Sequence, residues 1–200
     1  EMMKQRRLDA QQQYIFGEVF FIGDLDNKTR ELITVSSLAA LQTLPQLKAH
    51  INAALNVGNT PLEVREAIYA CAPFIGYPRT LNAVGAFNEV AKARGIELPL
   101  ESAAGAERKR LDETASAKDA AKAFYADYAS RSGLEPKKRE LLSLVVAAAL
   151  GAKDEAEHRI KTNLKIGNGK DVLTAAVVQA MPYIGAPAAM RTIEEIKEVE

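Results

Sequence analysis

Lys28-Thr29-Arg30-Glu31-Leu32 returns 109 residues later as Lys137-Lys138-Arg139-Glu140-Leu141, and the two runs align without a gap from Leu25–Pro78 to Leu134–Pro187. Ala39-Ala40-Leu41 recurs as Ala148-Ala149-Leu150 and Gly58-Asn59 as Gly167-Asn168. Pro73-Phe74-Ile75-Gly76-Tyr77-Pro78 recurs as Pro182-Tyr183-Ile184-Gly185-Ala186-Pro187. A period this long marks two packing units, each burying its apolar face against the other. It also sorts residues: those needed for packing recur, whereas those needed for chemistry can survive in one copy alone.

The spacing inside each unit is helical. Alanine- and leucine-rich segments have no sustained period-2 alternation, so the chain is expected to be all-α. A first helix is expected over Asp9–Phe20, and a second is capped by Asp26 or Asn27 and runs to about Gln42. Thr43-Leu44-Pro45-Gln46 has the form of a capping box and opens a third helix ending near Gly58. Thr60-Pro61-Leu62-Glu63 repeats the device for a fourth. Pro73, Gly76 and Pro78 should kink or interrupt that helix, because proline removes a donor and clashes with the preceding turn. A last helix is expected from about Arg79 to Arg94. Residues 1–96 are thus read as the first, site-bearing copy, 97–117 as a linker, and 118–200 as a second copy with a degenerate site.

Composition excludes several functions. Lys plus Arg and Asp plus Glu are 26 each, so no global field recruits nucleic acid or an anionic membrane surface. No apolar run reaches the ~20 residues of a membrane span. Glu1-Met2-Met3-Lys4-Gln5-Arg6-Arg7 leads into an amphipathic stretch without a signal-peptide core. A cytoplasmic location is expected, with an export signal upstream of Glu1 left open. The single cysteine, Cys71, excludes an intramolecular disulfide, a Cys-x-x-Cys pair and a cysteine-built zinc site. Its apolar mid-helix setting reads as a core thiol.

Two titratable residues occupy apolar helix stripes. Glu31 shares a face with Val35, Leu38 and Gln42, and His50 with Leu47, Ala54 and Val57. If their helices form a hairpin, both face one interior and each is a partner for the other, as a structural pair or as a catalytic one. Glu31 recurs as Glu140, but Arg159 stands at the position of His50, so the histidine is specific to copy one. Glu63 is explained by its capping box, and Glu66 reads as a solvated or inter-subunit residue. The recurring proline–glycine bend reads first as packing, with glycine permitting close helix approach. As a second reading it leaves backbone amides near Gly76 unpaired, and Phe74 and Tyr77 are candidates to wall a small cavity. Arg79 is a candidate to grip a substrate carboxylate, with a surface ion pair as its plainer role.

The ordered set Arg30-Glu31-Leu32, His50, Ala54-Leu55-Asn56, Gly58, Thr60, Glu63, Glu66 and Gly76-Tyr77-Pro78-Arg79 resembles the carboxymuconolactone decarboxylase family. The second copy matches it more loosely. The resemblance implies an all-helical fold shared with the alkylhydroperoxidase D proteins, whose peroxidase relay of Glu, Cys-x-x-Cys and His falls on Glu31, Thr43, Gln46 and His50. Both cysteine positions are replaced, which speaks against peroxidase or peroxiredoxin-like activity by that route. The resemblance further implies cofactor-free decarboxylation or proton transfer on a small carboxylated lactone or related acid. His50 would then be the proton donor, Glu31 its orienting partner, and Arg79 or amides near Gly76 the anion holders. Single-domain members form rings, so three fused chains are expected to make a homo-oligomer of six domains. Two other readings stay open: a peroxidase using Cys71 with an external thiol, and a non-catalytic ligand-binding or assembly protein.

Overall fold

A computed structural model describes residues 10, 13–15, 17–19, 22–103 and 111–199. Among these the structure is helical and has no strand: α1 (Asn27–Leu41), α2 (Leu44–Asn56), α3 (Pro61–Ala70), α4 (Ala72–Ile75), α5 (Tyr77–Ala93), α6 (Ala117–Ala129), α7 (Pro136–Ala149), α8 (Lys153–Ile166), α9 (Lys170–Ile184) and α10 (Ala186–Glu198). Of the helix expected over Asp9–Phe20, residues 10, 13–15 and 17 are helical, while 9, 11, 12, 16 and 20 lie outside the described residues, as does the middle of the linker.

The repeated segments α1 and α7 are the two central helices. Every residue from Thr29 to Ala40 is buried, because α1 is walled by α2 and α3 of its own copy and by α7 and α9 of the other. Helix α7 is enclosed in the matching way by α8, α9 and α10 together with α1 and α3. One core therefore runs through both copies, including Leu32, Ile33, Leu47, Ile51, Ile68 and Phe87 from the first and Leu142, Leu144, Ile160 and Leu173 from the second. Each such side chain contributes about 1.5–3 kcal/mol of burial. An all-buried helix must still satisfy its polar side chains. Thr34 and Ser37 donate back to the carbonyls of Arg30 and Ile33, and Ser36 donates to the Ala67 carbonyl of α3.

Asp26 caps α1, its carboxylate accepting from the Thr29 amide at 2.6 Å. Thr60 and Glu63 form the complete capping box of α3, at 3.1 and 2.7 Å. The box expected at Thr43 is absent. Thr43 makes no side-chain cap, and its hydroxyl donates to the Leu38 carbonyl at 3.4 Å. The physical reason is the tight link: Gln42 takes a left-handed conformation (φ 59°), and the Thr43 hydroxyl is drawn to a carbonyl at the end of α1.

The proline motif has two outcomes. In copy one the helix breaks at Cys71, giving the short α4, and turns at Gly76 (φ 79°). In copy two α9 runs through Pro182 to Ile184 and turns at Gly185 (φ 90°). Both turns need a left-handed residue, which glycine supplies without steric cost.

Candidate functional site

Glu31 sits one turn into α1 and His50 at the middle of α2, and the α1–α2 hairpin brings them into contact. Nδ1 of His50 lies 3.0 Å from Oε2 of Glu31. Glu31 is only 3% exposed, and His50 retains partial access to solvent. Opposite a carboxylate, which only accepts, Nδ1 carries the hydrogen, which leaves Nε2 as the ring nitrogen not held by Glu31.

The wall over His50 comes from the other copy. The Tyr183 ring of α9 meets the imidazole edge-on, with centroids 5.2 Å apart and planes at 83°. Burial pushes the Tyr183 hydroxyl up to about 12, a hydrogen bond with Thr34 opposing and the nearby Glu31 adding to the rise, so it remains a phenol at neutral pH. Gln179, one turn earlier on α9, accepts from Nη1 of Arg30 at 3.1 Å and donates to the Thr34 hydroxyl at 3.4 Å. Arg30 is further held by the carbonyls of Ile22, Gly23 and Leu25. A network from both copies thus links Arg30, Gln179, Thr34 and Tyr183, the residue that meets His50.

The exchange is reciprocal. In copy two Glu140 meets Arg159 at 3.2 Å, and the ring over Arg159 is Phe74 of copy one, 5.6 Å from the guanidinium carbon. Burial pushes the Glu140 carboxyl above its usual range, opposed by Arg159. Phe74, expected to wall a cavity of its own copy, therefore faces the pocket of the other. It packs there with Tyr125 of α6, at 5.8 Å between centroids. Tyr77 is 64% exposed, close enough to Tyr128 of α6 to affect its ionisation. Arg79 is exposed in the first turn of α5, and its backbone carbonyl accepts from Gln42. The Gly76 amide, expected to be unpaired, donates to the Ala72 carbonyl at 3.0 Å, because the last turn of α4 closes on it. Of the six residues singled out, the structure brings Glu31 and His50 together and disperses Phe74, Gly76, Tyr77 and Arg79. Tyr183, Thr34 and Gln179 escaped notice. The repeat held the signal for Tyr183, the counterpart of Phe74, but assigned each aromatic to its own copy.

Glu66 corrects a sequence expectation. It is fully buried, with its carboxylate 2.8 Å from Nε of Arg131, 3.2 Å from Arg65 and 3.6 Å from Arg139. Arg131 and Arg139 belong to copy two, so this carboxylate ties the copies together instead of meeting solvent. Cys71 is fully buried, and burial pushes its thiol up to about 12 while a hydrogen bond with Ser36 opposes. Among the described residues, no three His, Cys, Asp or Glu side chains are placed to hold a metal ion, and no helix is long and apolar enough to cross a membrane.

The model of the carboxymuconolactone decarboxylase family matches twice, over residues 8–89 and 115–198. The chain is similar to a 4-carboxymuconolactone decarboxylase of Acinetobacter baylyi, 35% identical over 83 residues, which are 42% of this chain and 62% of that protein. It is also similar to nitrosuccinic acid decarboxylase npaB of Metarhizium robertsii, 32% identical over 72 residues, 36% of this chain and 50% of that protein. It thus spans between 50% and 62% of the length of these curated relatives. With both halves matched and two helical copies packed on one core, the chain belongs to the carboxymuconolactone decarboxylase family as a tandem, two-domain member.

Proposed function

We propose that the chain is a cofactor-free carboxy-lyase for a small carboxylic acid bearing an electron-withdrawing group, a carboxylated lactone being the first candidate. The observation that carries this reading is the Glu31–His50 contact under the ring of Tyr183. It is supported by the two relatives, both named decarboxylases. In the proposed step the C–C bond to the carboxylate breaks and carbon dioxide leaves. The electron pair moves into the conjugated carbonyl as a dienolate. His50 acts in its imidazolium form, with Nδ1–H kept on Glu31 while the Nε2 proton passes to carbon, and the neutral ring left behind takes a proton back at Nε2 from solvent. Glu31 fixes the tautomer and orientation of the ring, and Tyr183 closes the site on the side of copy two. Exposed Arg79 lies in the first turn of α5 and is assigned to steering the anionic substrate. Thiol peroxidase chemistry is disfavoured, since the one thiol is enclosed and held protonated.

The test is loss of 4-carboxymuconolactone absorbance with wild type and with His50→Ala, both first confirmed folded. Turnover in wild type that falls at least about a hundredfold in the variant is expected for a lost general acid. Equal turnover in the two proteins overturns the role of His50. An inactive wild type rejects this lactone and moves the assay to nitro-substituted acids.

A further inference from the structure

The second copy retains a pocket that nothing so far has assigned. Ala70, Pro73 and Phe74 of copy one and Tyr125, Tyr128, Ala129, Arg139, Glu140, Ser143 and Arg159 of copy two surround a cavity of about 30 Å³. Arg139 is 5% exposed, and its Nε and Nη1 are buried with no hydrogen-bond partner among the described residues. Its remaining nitrogen, Nη2, donates to the Arg131 carbonyl at 3.0 Å and lies 3.6 Å from Glu66.

Copy one explains the deficit. The counterpart of Arg139 is Arg30, whose Nη1 is satisfied by the side-chain carbonyl of Gln179 at 3.1 Å. At the position equivalent to Gln179, copy one supplies Ala70 to this pocket. One exchange of glutamine for alanine has therefore opened space and removed the acceptor. The proton donor of the first site is also replaced here by a cation, Arg159, stacked on Phe74 and Tyr125 and paired with Glu140 and Glu155. Two buried guanidinium N–H groups without an acceptor are costly unless something small completes them, and an anionic oxygen does so most strongly.

We propose that this pocket is a second, non-catalytic binding site for a small oxyanion of the carboxylate or carbonate type, one oxygen of which accepts from Arg139 Nη1 where Gln179 stands in copy one. The cavity of about 30 Å³ has room for about one water-sized group, so one oxygen of a small oxyanion such as formate, bicarbonate or acetate enters it and a lactone ring does not. Ser143 lines the cavity with its hydroxyl donating to the Arg139 carbonyl, and Arg159, shared with Glu140 and Glu155, adds a guanidinium to the wall. Glu140 would oppose the anion, but its carboxylate is engaged by Arg159.

The experiment measures the thermal midpoint and calorimetric binding of the full chain with sodium formate, acetate and bicarbonate against chloride at equal ionic strength. An anion-specific rise is expected in wild type, following mass action. Ala70→Gln, which restores the acceptor, should weaken binding about tenfold or more; Arg159→Gln should also weaken it and serves if Ala70→Gln does not fold. His50→Ala should bind as wild type, which separates this site from the proposed active site whether or not that site turns over lactone. The three anions distinguish a general carboxylate site from one selective for the hydrated form of a released carbon dioxide. No anion-specific effect in wild type, binding undiminished in the folded pocket variants, or loss of binding in His50→Ala each overturns the proposal.

Discussion

Glu31 and Glu66 are both carboxylates buried within copy one, yet their partners set them apart. Glu31 meets a histidine that keeps access to solvent, whereas Glu66 is surrounded by three arginines. A carboxylate tied to permanent cations is a structural group, and one tied to an imidazole that reaches an opening can pass a proton. The cysteine is decided by enclosure. Its Sγ lies 3.3 Å from the Ala67 carbonyl, and its thiol is held near 12. Native protein at pH 8 is therefore expected to resist a disulfide reagent such as DTNB until denaturant is added. Rapid labelling in the native state would return Cys71 to the catalytic candidates.

At the scale of elements, two similar turn sequences behave differently, and the difference is measurable. Thr60→Ala removes a real cap and should cost about 1 kcal/mol, whereas Thr43→Ala should stay within about 0.5 kcal/mol. Chemical denaturation of both variants provides the comparison, and equal losses would contradict the assigned caps. The Glu63 carboxyl, although raised by burial, is held below its usual range by its hydrogen bonds to Thr60 and by Lys28. A lowered folded pKa stabilises above the unfolded value of 4.5 and loses that contribution as pH falls through the folded value. The penalty for Glu63→Gln should accordingly be largest near neutrality and shrink on acidification below pH ~4. The four-residue α4, where copy two keeps an unbroken helix, shows that the proline motif sets a bend without fixing its form.

In the whole molecule, the two copies exchange aromatic walls and ion-pair partners, so neither completes a pocket alone. Glu66→Ala leaves Arg131 and Arg139 without their carboxylate and should destabilise the chain by about 3–5 kcal/mol, read by urea unfolding. A loss below about 1 kcal/mol would show that the inter-copy contact contributes little. A trimer of chains remains a proposal from the family resemblance. Light scattering should then give about three times the 21.7 kDa of the chain, and a monomer mass would reject it. The repeat, the helical period and the Asp26 and Thr60 caps were legible in the sequence because they are local or self-similar. The α1–α2 hairpin, with Glu31 and His50 on facing stripes, was legible for the same reason. The placement of Phe74 over Arg159, Tyr183 over His50, and Glu66 against Arg131 and Arg139 was decided only by tertiary structure. Sequence spacing records which side chains share a helix face. Which copy's helix meets that face depends on how two nearly equivalent units dock, and the repeat is the same whether each keeps its aromatic wall or gives it to the other.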